Sequence, residues 1–167
     1  MTDLLFVVAL TAGTVLTGLV AGLLFAFAVV TMPGIGTLGD REFIRAFQVM
    51  DAIIQNNHPL FMGAWLGSAG LLIISVVLGF QRIPSELWIP LAGATTIYLA
   101  GVEIPTAVIN IPLNNALQRV DTGNAADETV IAARRDFETR WNRWNRRRTV
   151  VAVTVTTALV VLVGLIV

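Results

Sequence analysis

The chain has 167 residues, of which 56% are hydrophobic and only 13% charged, against roughly 25% charged in a soluble domain. It has no cysteine and one histidine, which excludes disulfides, thiolate catalysis, cysteine-ligated metal centres and bis-histidine haem within one subunit. Net charge is zero, but all eleven basic residues are arginine and eight of them fall between Arg119 and Arg148.

These proportions predict an all-α integral membrane protein: one domain, 1–167, built as a four-helix bundle. The first span, about 4–32, carries no charge and is long enough to cross about 30 Å of hydrocarbon. It lacks a basic leader and a small-residue cleavage site, so it reads as a retained helix. Its glycines and alanines, among them Gly13, Gly18 and Gly22, let a neighbouring helix approach and permit a homo-oligomer. Met32-Pro33-Gly34 ends it.

Residues 40–56 predict a short amphipathic helix, with Phe43, Phe47, Met50 and Ile54 on one stripe and Arg41, Glu42, Arg45, Gln48 and Asp51 mostly elsewhere. Asp40 is the expected N-cap. The second span, 59–80, starts at Pro59, with Asn57 or His58 as its cap. The third, 87–111, begins at the interfacial Trp88. A charged helix over 127–148 then extends the fourth span, 149–167, on the cytoplasmic side. The first and third connections hold ten arginines and the second only Arg82. The positive-inside rule therefore puts those two connections in the cytoplasm and both termini outside, in a bacterial-type inner membrane. The run Arg146-Arg147-Arg148 reads as a topology and lipid-headgroup signal.

The most informative stretch is Glu103-Ile-Pro-Thr-Ala-Val-Ile-Asn-Ile-Pro-Leu-Asn114. Polar groups in an apolar span cost free energy unless paired. On a straight helix, Thr96, Glu103, Asn110 and Asn114 share one face, with Thr106 beside it. In the charged helix, Arg134, Glu138, Trp141, Asn145 and Arg148 follow four-three-four-three spacing and form another face. With four spans these residues, and His58, converge on the cytoplasmic end.

Asn110-Ile-Pro-Leu-Asn114, then Trp141-x-x-Trp144-Asn145-x-x-Arg148-Thr149, with Met32-Pro33-Gly34 earlier, resemble the anthrone oxygenase-like family of small four-helix membrane proteins. The likeness extends over nearly the whole chain. Before the second span the family pattern has Asn-Pro, and this chain has His58-Pro59. The resemblance implies oxidation of an anthrone-type phenol or quinone-like lipophile by dioxygen, with no cofactor and no metal. A base removes a proton, and the resulting carbanion reduces dioxygen. His58 or Glu103 is then the expected base. Asn110, Asn114 and Asn145 are the expected donors to an enolate oxygen, and Arg148 the counter-charge. Trp141 and Trp144 offer ring platforms, and Thr106 lies alongside.

Each residue has a plainer account. His58 caps a helix, Glu103 pairs with Arg148, the asparagines act as interhelical glue, and the tryptophans anchor at the interface. On that account the protein is a structural or accessory membrane subunit, or a carrier of a lipophile. A metal on His58, Glu103 and Asp51 has no supporting ligand spacing. The expected partners are the bilayer and a lipophilic aromatic, and no nucleic-acid module is present.

Overall fold

In the computed structural model, which describes residues 4–166, the chain is helical, with no strand among the described residues. Four helices are long and apolar enough to cross a bilayer: α1 (Leu4–Ile35), α3 (Pro59–Gly79), α4 (Ser85–Gln118) and α5 (Asp127–Ile166). The amphipathic α2 (Asp40–Gln55) lies between the first two. Helix α5 runs 40 residues without a break, a rod about 60 Å long at 1.5 Å per residue.

Helix α1 lies against α3 and α5, and α4 lies against the same two helices from the opposite side. Small residues set the α1–α3 spacing. A Cβ added at Gly13 would meet Leu71 Cβ at 3.2 Å and the Leu72 backbone nitrogen at 3.4 Å, so a side chain there would press directly on α3. Two apolar clusters fill the interior. One holds Phe6, Leu10, Leu72, Leu91, Tyr98 and Leu159. The other, at the polar end, is rich in aromatics, with Phe47 4.6 Å from Phe137 and 5.5 Å from Trp141 between ring centres.

Helix α2 folds under the bundle, with Phe43, Ile44 and Phe47 buried against α4 and α5. Its polar side chains hold the 119–126 connection. Arg41 donates to the carbonyls of Thr122 and Ala125, and Gln48 to those of Leu117 and Val120. In that connection Asp121 accepts from the Asn124 amide and from the backbone N–H groups of Gly123 and Asn124, which holds its carboxyl below the usual range. The expected capping is corrected at α2, and at α3 the cap position falls on His58. Gly39, not Asp40, precedes α2, and the Glu42 carboxylate reaches back to the Gly39 N–H. His58 occupies the cap position of α3 but makes no side-chain capping bond, and Asn57 sits at φ 55° and makes the turn.

One side chain pins the entry to α2. The Arg134 guanidinium donates to the carbonyls of Gly36 and Leu38 and to Asp40 and Glu138, and lies 4.4 Å over the Phe43 ring. Arg134→Ala is expected to destabilise by about 2–3 kcal/mol, the scale of charged hydrogen bonds. Hydrogen exchange should accelerate across residues 36–40. Arg134→Lys should rescue little, because an ammonium lacks the planar fork that serves these separate acceptors.

Three helical turns are wider than α: Phe27–Thr31, Leu99–Glu103 and Thr106–Asn110. Each ends two residues before a proline, at Pro33, Pro105 and Pro112. In each the residue before the proline closes an i→i−5 bond: Met32 to Phe27, Ile104 to Leu99, Ile111 to Thr106. A proline ring clashes with the carbonyl four residues back in a straight helix. Opening the preceding turn moves that carbonyl aside, so the helix continues through the proline.

Candidate functional site

Between the two clusters lies a cavity of about 140 Å³. The wide turns place its wall on α4. Tyr98, Val102, Thr106, Asn110 and Asn114 recur every four residues and all face inward, the last four onto the cavity. On a straight α-helix a four-residue repeat drifts by about 40° per step. The two wide turns absorb that drift. The stripe expected from α geometry is therefore corrected at its first two members: Glu103 lies off the inward repeat and does not line the cavity. Thr96 is exposed and bonds back to the Ala92 carbonyl, and Thr95 is buried in its place.

On α5, where no turn is widened, Trp141, Asn145 and Arg148 lie on one buried face and line the opposite wall. Arg148 is 5% exposed. One terminal nitrogen donates to Thr106 Oγ1 at 2.8 Å and the other to Asn145 Oδ1 at 3.1 Å. Its Nε has no partner, and no ion pair reaches it among the described residues. Glu103 is within electrostatic range of Arg148, Tyr98 and Trp65, yet its Oε1 and the Trp65 indole N–H also lack close partners. The direct Glu103–Arg148 pair expected on the plainer account is not formed.

The three asparagines stand in different states. Asn114 is fully committed: it donates to Asp51 Oδ1 at 2.7 Å and accepts from Trp141 Nε1 at 2.8 Å. Asn145 donates to the Leu24 carbonyl while accepting from Arg148. Asn110 is 2% exposed, and neither its amide nitrogen nor its oxygen has a partner. A buried carboxamide with both ends open is expensive. Here it opens onto a cavity beside a buried cation.

Asp51 is the residue sequence reasoning missed. It was expected off the apolar stripe of α2, but it is 3% exposed and lines the cavity. Its carboxylate accepts from Asn114, Gln118 and Gln55. Its position, four residues after the buried Phe47, was the available signal. Trp65 was also missed, although an indole in mid-span lies away from the interfacial belts. Three expected site residues lie elsewhere. Glu103 is half-buried and does not line the cavity. His58 is exposed and off the cavity. Trp144 points away from the cavity, with the Arg147 guanidinium 4.8 Å over its ring. No group of three His, Asp or Glu side chains suitable for a metal occurs among the described residues.

This arrangement can hold a flat apolar body against Phe27, Phe47, Trp65 and Trp141 and meet one oxygen function with Asn110 and Arg148. Residues 51–161 match the family model described as Anthrone oxygenase. No curated protein and no solved structure matches the chain.

Proposed function

Since this chain belongs to the anthrone oxygenase family, we propose that its cavity takes a lipophilic aromatic of the anthrone or quinone type and promotes oxidation by dioxygen. The observation that carries the reading is Asn110. Its amide has both ends open in a cavity it shares with a buried guanidinium whose Nε is also without a partner. An enolate oxygen satisfies both: Asn110 Nδ2 and Arg148 Nε donate to it, and the cation offsets its charge.

Neither expected base lines the cavity. Of the two we take Glu103, whose Oε1 is buried without a partner and within electrostatic range of Arg148, whereas His58 is exposed. The carboxylate takes a proton from the ring methylene. The enolate then gives its electrons to dioxygen and forms a C–O bond, and loss of water leaves a carbonyl. The net change is CH₂ + O₂ → C=O + H₂O. We place this end of the bundle in the cytoplasm, on the strength of ten arginines against one in the connections. The Asp51 network supports a second, mechanical role for the same end, tying α2 and α4 to α5.

The test is a turnover screen in nanodiscs with anthrones and related phenols, following oxygen uptake and quinone absorbance together. One oxygen consumed per quinone formed is the expected stoichiometry. Arg148→Gln should cut turnover about 10²-fold, the scale of losing one preorganised donor to an oxyanion. No oxygen uptake, together with no ligand-dependent shift in Tm, would sink the proposal.

A further inference from the structure

A second concavity lies on the outer face of the bundle, back to back with the first. It is a groove of about 750 Å³ between α4 and α5. Its walls are apolar, with Ile104, Val108 and Val150 all exposed along it. At its floor the two helices lie close together: a Cβ added at Gly101 would meet Val151 Cγ1 at 2.8 Å. Val151 and Trp144 both line it. They are seven residues apart on an unbroken helix, which makes the groove about 10 Å long in that direction.

Arg146 and Arg147 flank it at the Trp144 end. Both are exposed, and neither has an ion-pair or hydrogen-bond partner among the described residues. They differ in this from Arg41, Arg134 and Arg135, which pair with carboxylates, and from Arg148, which turns inward. The cation–π contact with Trp144 holds Arg147 over the groove mouth. Two uncompensated guanidinium groups at one end of an apolar trough complement a molecule with a phosphate joined to a hydrocarbon chain.

We propose that this groove binds one anionic phospholipid, with an acyl chain along the α4–α5 seam and its phosphate on Arg146 and Arg147. A zwitterionic lipid offers the same phosphate but no net charge and sets a quaternary ammonium beside the two guanidinium groups, so the site discriminates by headgroup.

The experiment is native mass spectrometry of the delipidated full chain titrated with phosphatidylglycerol or phosphatidylcholine, with Tm measured in parallel. The wild type should retain one phosphatidylglycerol in preference to phosphatidylcholine. Each basic side chain at an anionic surface is worth about a fivefold gain, so Arg146→Gln/Arg147→Gln should weaken phosphatidylglycerol binding about thirtyfold. Phosphatidylcholine binding should fall by less, so the preference between the two lipids is lost. Val108→Trp, which fills the trough and leaves both arginines in place, should also lose the bound lipid. All three positions are exposed, so fold should persist, and size exclusion checks it. Equal retention of the two lipids by the wild type would overturn the proposal. So would unaltered phosphatidylglycerol binding in the glutamine variant, or displacement of the lipid by millimolar inorganic phosphate.

Discussion

Replacing Asn110 by alanine is expected to abolish oxygen consumption without unfolding the protein. The loss should be about 10²–10³-fold, as for removal of one donor from an oxyanion site. The companion expectation concerns stability, and its sign separates the two accounts of this residue. Asparagines that bridge helices stabilise them, and their truncation strands a partner. Asn110 has no partner to strand. Asn110→Ala should therefore leave Tm unchanged, and Asn110→Leu, which swaps an open amide for an apolar group of similar size, should raise it. A lower Tm in both variants, with activity falling only in proportion to the folded fraction, would return Asn110 to the role of glue.

Asp51→Ala is expected to do the reverse, costing stability first and activity as a consequence. The carboxylate is buried and receives three side-chain amides. Gln55 is exposed and can turn to water, but Asn114 and Gln118 lie partly inside the protein. Stranding them costs about 1–3 kcal/mol each. A total of about 3 kcal/mol corresponds to a fall in Tm of about 6–12 °C for a chain of this size. The Asn114 amide would also be freed to rotate, releasing the Trp141 indole it holds at 2.8 Å, so tryptophan fluorescence should shift with it. A Tm within 2 °C of wild type, by the same scaling, would mean that the network contributes nothing net.

The opposite expectations for two polar residues of one cavity show where sequence reasoning reached and where it stopped. Composition and run length made the apolar helices visible, because crossing a bilayer demands about 20 apolar residues whatever their order. The face of α5 was visible too. Arg134, Glu138, Trp141, Asn145 and Arg148 follow the α period, and nothing interrupts that period along the helix. The face of α4 was misjudged at Thr96 and Glu103 because two wide turns change the period from within. The prolines that cause them were visible, but their effect on the register of a continuous helix was not.

Asp51 was hidden for a different reason. Its burial depends on amides from α4, more than sixty residues away, and no local pattern reports such a partner. The arginine run holds two roles that only helical spacing separates. Three adjacent residues look alike as sequence, yet on a helix they point about 100° apart. Arg148 faces the cavity while Arg146 and Arg147 face the groove.

The proline-spaced turns also divide the cavity mechanically. Its α5 wall is a rod with unbroken bonding, and its α4 wall has wide turns and two prolines that donate no hydrogen bond. Stiffness is therefore unequal across a few ångströms. A bulkier occupant would be accommodated by bending of α4 while Trp141, Asn145 and Arg148 hold position. If the cavity takes a substrate as proposed, the rod would set its orientation and α4 would supply the give.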